Sequence, residues 1–213
     1  MLTIYTKDNY TKDNLLTLAG HEVVIGRTQS GKTHYTIHGR AKHWPGPVLF
    51  FNPQGFPAGD SWIDADGYSD LSLIKRALML KKHIAYIPSD NDAIAVQELN
   101  QLVDLSFSGS WPSAGLLFIA DEAQDFAGPL RRIARRGLAR GVTGVFISQR
   151  PAEMHNTLLT QAIRHVIFAS AWESQYFKRY GLDADFIQQT LATAKPYSYA
   201  VLEQGKISGP FSI

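Results

Sequence analysis

Eight consecutive residues, Gly26-Arg27-Thr28-Gln29-Ser30-Gly31-Lys32-Thr33, carry the clearest chemistry in this chain. Glycines at the first and sixth places let the backbone curl, so that successive N–H groups converge on an anion at a helix N-terminus. Lys32 can then reach the β/γ oxygens of a triphosphate, and the Thr33 hydroxyl can ligate Mg²⁺. The spacing fits G-x-x-x-x-G-K-[ST], which predicts ATP and Mg²⁺ as ligands. All eight residues are candidate nucleotide contacts, and Lys32 is also a candidate catalytic group.

A second constellation is Leu116-Leu117-Phe118-Ile119-Ala120-Asp121-Glu122, an apolar run that delivers two adjacent carboxylates. In α/β sheets ligands lie beyond the carboxyl ends of strands, where this pair would stand. Asp121 is the expected Mg²⁺ ligand, and Glu122 the base that polarises the water attacking the γ-phosphate. A third run, Val142 to Ser148, ends in Gln149-Arg150-Pro151. The Gln149 amide can sense the γ-phosphate or orient the water. Asp125 reads as a cap or a surface carboxylate. His34 and His38, four apart, lack a third ligand and read as surface or packing residues rather than a metal pair.

These groups need elements to hold them. Glu22 to Ile25 is a short β-branched run, and Thr33 to Lys42 predicts a helix stopped before Trp44-Pro45-Gly46-Pro47. Val48 to Phe51, His83 to Ile87, Leu116 to Ala120, Val142 to Ser148 and His165 to Ala169 read as strands, most of them continuously apolar as in a buried parallel sheet. Helices are expected over Leu71 to Leu80, from caps at Ser89 to Asp92 as far as about Phe107, over Leu130 to Gly137, Asn156 to Arg164, Glu173 to Tyr180 and Asp185 to Ala194. Tyr197 to Leu202 and Lys206 to Phe211 suggest a terminal hairpin around Gln204-Gly205. The alternation predicts an α/β fold, mainly parallel, with helices on both faces. Phe56 to Gly67 and Ser106 to Gly115 are left as loops that could face DNA.

The whole-chain numbers set bounds. The 213 residues, 45% hydrophobic and 19% charged, suit one globular domain over 21–213, preceded by an arm over 1–20 whose YTKDN-YTKDN repeat is too short for a solenoid. Zero cysteines exclude disulfides and cysteine zinc sites. No transmembrane segment is expected, nor an apolar signal core at the start. The 21 basic and 19 acidic residues leave any nucleic-acid site local. Arg131, Arg132, Arg135, Arg136 and Arg140 supply one local concentration of charge, read as a solvated helix face, a DNA-backbone contact, a subunit-interface group or a nucleotide-kinase lid. Trp44, Trp62, Trp111 and Trp172 read as packing residues.

The order of phosphate loop, Asp-Glu strand, arginine-bearing helix, then Gly144-Val145, an apolar strand and Ser148-Gln149-Arg150-Pro151 resembles the FtsK/HerA superfamily of DNA-pumping ATPases over roughly Glu22 to Ala169. Val48 to Gly55 is similar to that superfamily's second strand, with Asn52 where aspartate is common. Among its members, compact chains of this length resemble the genome-packaging ATPases of membrane-containing tailless icosahedral viruses. The resemblance implies a RecA-like P-loop domain that hydrolyses ATP and assembles as a homo-oligomer, a hexameric ring, around double-stranded DNA. It implies an arginine acting on a neighbour's site, for which Arg136, Arg140 and Arg150 are the candidates; Leu138 stands where arginine is frequent. Capsid or membrane vertex proteins would be partners, in the host cytoplasm or at a virion vertex. Other readings are a related DNA-transfer or phage-assembly ATPase, a small nucleotide or metabolite kinase, and an ATP-gated interaction switch.

Overall fold

The computed structural model describes residues 20–112, 114–168, 184–203 and 205–212. The tandem repeat, Trp172 and the helix expected over Glu173 to Tyr180 lie outside them. Among the described residues the strands are β1 (Glu22–Ile25), β2 (Val48–Phe51), β3 (Trp62–Asp66), β4 (His83–Ile87), β5 (Leu116–Ala120), β6 (Val142–Ser148), β7 (Arg164–Phe168), β8 (Ser198–Glu203) and β9 (Lys206–Ser212). They form one sheet in the order β3-β4-β2-β5-β6-β1-β7-β8-β9. All pairings from β3 to β7 are parallel, and β8 and β9 add an antiparallel hairpin.

Apolar runs make the central strands because both faces are covered. Val23, Ile25, Leu49 and Phe51 point into one core with residues of α2 (Leu71–Met79), α3 (Asp92–Ser108), α4 (Ala127–Arg136), α5 (Asn156–Gln161) and α6 (Ala184–Ala192). Val24, Val48 and Phe50 point the other way, onto Tyr35, Ile37, Ala41 and the buried Trp44. Helix α1 begins as an α-helix at Lys32–His34 and continues as a π-helix over Tyr35–Ala41. The extra residue per turn presents Tyr35, Ile37, Arg40 and Ala41 to the sheet together.

The structure departs from the sequence reading in four places. Trp62–Asp66 is an edge strand rather than loop, with Trp62 packed on Phe50 and His83. Its exposed Asp64 and Asp66 are those of an edge guarded by charge. Helix α5 ends at Gln161, because Arg164 already pairs in register with Glu22 of β1. Helix α4 starts three residues early, at Ala127. The expected helix after the phosphate loop is largely π-helical.

Candidate nucleotide site

β1 sits inside the sheet, with β6 on one side and β7 on the other, and the chain reverses its winding around it. The crevice at the carboxyl ends of these strands is where such sheets place ligands, and Gly26 to Thr33 fills it. A Cβ at Gly26 would stand 2.4 Å from Ser30 Oγ and 2.7 Å from Phe168 Cβ, so no other residue fits. Gly31 turns the loop into α1 with φ +103°, a conformation that L side chains rarely adopt. Lys32 is buried and its Nζ donates to the Arg27 carbonyl across the loop at 2.9 Å. Burial holds its pKa below the ordinary lysine value, opposed by the charges of Asp121 and Glu122. Ser30 Oγ is buried without a partner among the described residues, a hydroxyl suited to a phosphate oxygen.

Asp121 and Glu122 leave the end of β5 into the same crevice, both buried. Burial, with the adjacent Glu122 charge, pushes the Asp121 pKa up to about 6, while the Glu122 N–H, donated to Asp121 Oδ1 at 2.9 Å, and Lys32 pull it down. Glu122 has φ +49°, left-handed backbone that turns its side chain back over the sheet end. Three amides converge on that carboxylate. Gln124 Nε2 donates to Oε2 at 2.6 Å, Gln54 Nε2 to Oε1 at 3.4 Å, and Gln149 Nε2 also to Oε1. The Gln149 Oε1 in turn accepts from the Thr28 hydroxyl. One amide therefore joins the phosphate loop to the Glu122 carboxylate.

A cavity of about 620 Å³ opens along the loop from Thr28 to His34. A second, of about 500 Å³, opens beside Glu122, bounded by Gln54, Asp90, Asp92 and Asp125. It gives solvent a route to the glutamate. One carboxylate and one hydroxyl, Asp121 and Thr33, are a hard-oxygen set suited to Mg²⁺, which keeps several waters and shares phosphate oxygens. No cluster of three or more metal-ligating side chains occurs among the described residues, and such a site needs none.

The arginines fall at two ends. Arg150, at the loop end, is about half exposed and bonds Asp125 at 3.0 Å and Glu153 at 2.7 Å. Asp125 is thus an ion-pair partner rather than a cap. Arg136, the last residue of α4, and Arg140, in the turn that follows, are exposed just before β6 begins. They lie on the order of 20 Å from this chain's own loop, the length of a seven-residue strand. Arg132 bonds Asp104 of α3 at 2.6 Å. Gln54 and Gln124, which complete the amide shell, carry no signal in the sequence beyond following strand ends at the ligand side of the sheet.

Fold and loop together define a RecA-like P-loop domain. Comparison with solved structures agrees. The genome-packaging NTPase B204 of Sulfolobus turreted icosahedral virus 2, in complex with AMPPCP, superposes with a TM-score of 0.67 at 16% identity, over 92% of this chain and 99% of that one. B204, the DNA-packaging ATPase of Sulfolobus turreted icosahedral virus, does so at 0.60 and 16%, over 90% and 98%. EssC (ATPases 2 and 3) of Geobacillus thermodenitrificans gives 0.51 and 12%, over 88% of this chain and 38% of that one. No family model matches the chain, and no curated protein does.

Proposed function

We propose that this chain is the ATPase of a DNA-packaging motor, hydrolysing ATP with Mg²⁺ and acting as a ring of copies, a hexamer, that pumps double-stranded DNA into a capsid. The observation that carries the reading is Glu122, held by an amide that also bonds the phosphate loop, in a fold that matches a viral packaging ATPase over 92% of this chain. Glu122 would accept a proton from the water that attacks the γ-phosphorus; the bond to the leaving ADP oxygen breaks, and ADP and phosphate depart. Lys32 would hold the β/γ oxygens, and Gln149 would report whether the γ-phosphate is present. Bound Mg²⁺, held by Thr33 and Asp121, would neutralise charge on the phosphate oxygens.

Arg136 and Arg140 stand at the far end of the sheet, so a nucleotide phosphate that they touched would be bound to a neighbouring copy. Arg150 would first have to leave Asp125 and Glu153. Contacts to DNA would be to the backbone, hence independent of sequence and weakened by salt. Among the described residues no helix is long and apolar enough to cross a membrane; capsid or membrane vertex proteins would be the docking partners, in the host cytoplasm or at the virion vertex. The test is ATP hydrolysis by the purified chain with and without linear duplex DNA at low salt, with the mass measured in each condition. DNA-stimulated turnover at a ring-sized mass is expected. Turnover indifferent to DNA in a stable monomer would overturn the motor and leave the phosphate site standing.

A further inference from the structure

We propose that Phe56 and Tyr197 form an aromatic clamp for the base of a nucleotide whose phosphates lie in the Gly26–Thr33 loop, and that Asn52 positions the Phe56 side of it. The inference rests on the nucleotide-binding reading and adds a site that neither the motif nor the sheet topology assigns. Both aromatics line the 620 Å³ cavity that is continuous with the phosphate loop. They reach it from opposite sides of β1, Phe56 from the segment after β2 and Tyr197 from the residue before β8. A triphosphate occupies only the polar loop; the base and ribose must extend past it, and these two rings stand there.

Both rings are open to solvent, 47% for Phe56 and 59% for Tyr197, yet neither backbone is loose. Asn52, fully buried at the end of β2, bonds Phe56 twice: its Nδ2 donates to the Phe56 carbonyl at 2.8 Å, and its Oδ1 accepts the Phe56 N–H at 3.1 Å. That pairing needs one donor and one acceptor on a single side chain. An amide has both, whereas a carboxylate would set its oxygen against the Phe56 carbonyl. Tyr197 holds φ +63°, costly for an aromatic residue and kept by the strand that follows, where Tyr199 packs on Tyr35 and Phe168. Two exposed rings on two fixed backbones make a preformed stacking site. Because every base has a π-face, such a site takes the base by stacking.

The experiment compares a ligand that has a base with one that lacks it. Binding of ADP and of inorganic tripolyphosphate, each with Mg²⁺, is titrated calorimetrically into the full chain, wild type and variants. The variants are Phe56→Ala, Tyr197→Asn, which tolerates left-handed backbone without the ring, and Asn52→Asp. Each should weaken ADP roughly tenfold, the scale of one base stack, and leave tripolyphosphate within about twofold. Phe56→Tyr and Tyr197→Phe should keep both affinities. Equal weakening of both ligands, or of neither, would overturn the clamp. So would wild-type protein that gains nothing from the base. If wild type binds neither ligand, the phosphate site itself fails and the clamp with it.

Discussion

The Glu122 carboxylate, proposed above as the base, is held by three amides. Gln54, Gln124 and Gln149 fix both of its oxygens, and Gln149 ties that arrangement to Thr28. Glu122→Gln keeps the hydrogen-bonding size of the side chain but cannot take a proton. It should bind ATP as wild type does and lower kcat by roughly 10²–10⁴-fold, the usual worth of a general base. Lys32→Ala instead removes the ammonium proposed to hold the phosphates and should abolish measurable nucleotide binding. Gln149→Leu tests the relay: with the base and the loop both present but uncoupled, kcat should fall while KM changes little. Initial-rate kinetics separate these outcomes, and normal turnover in Lys32→Ala or Glu122→Gln would displace the site. At this scale the sequence was most informative where backbone conformation restricts residue type, as at Gly26 and Gly31. It was silent on Gln54 and Gln124, since an amide after a strand becomes a ligand only through pairing that brings β2 beside β5.

Among the elements, the strands buried on both faces were readable because unbroken apolar runs have few other uses. Edge strand β3 was not, because with one neighbour its pattern follows solvent and charge as much as packing. The early start of α4 escaped for another reason: Pro129 in its first turn looks like a breaker and is tolerated there because its missing N–H has no helical partner to lose. The entry to β1 carries a titratable joint. His21, buried against Phe146, accepts the Gly144 N–H on Nδ1 at 2.8 Å, which ties the start of β1 to β6. Burial lowers its pKa from 6.5 to about 4. Between those values the unfolded chain binds the proton and the folded chain does not, so this histidine's contribution is lost as pH falls from about 6.5 toward 4. In His21→Asn the amide oxygen can accept the same N–H without titrating. Wild type should be the more stable at pH 7, and its advantage should shrink by up to ~3 kcal/mol by pH 4. Urea midpoints across that range test it, and parallel profiles would show that His21 is not the titrating group.

At the scale of the molecule, one buried ion cluster joins the loop-bearing strand to the C-terminal hairpin. Glu22 of β1, wholly buried, lies 2.9 Å from Arg164 of β7 and 3.7 Å from Arg40 of α1, and Arg164 reaches Glu203 of β8 at 3.4 Å. Four elements meet there: β1, β7, β8 and α1. The two cations are unequal. Burial works against the charge of each, but Glu22, Tyr35 and Glu203 leave the Arg164 pKa above its ordinary value, whereas Arg40, repelled by Arg164, is left below. Glu22 is therefore the hub, and its loss should be felt most. Glu22→Gln removes the carboxylate that both buried guanidinium groups face and should cost roughly 3–5 kcal/mol, the usual penalty for breaking a buried pair. Arg40→Met keeps the Glu22–Arg164 pair and fills similar space, so its cost should be clearly smaller. Urea denaturation of the two variants decides the order. Equal losses, or a greater loss from Arg40→Met, would mean that packing around Arg40 and its contact with Trp44, rather than the Glu22 charge, binds the two halves of the sheet.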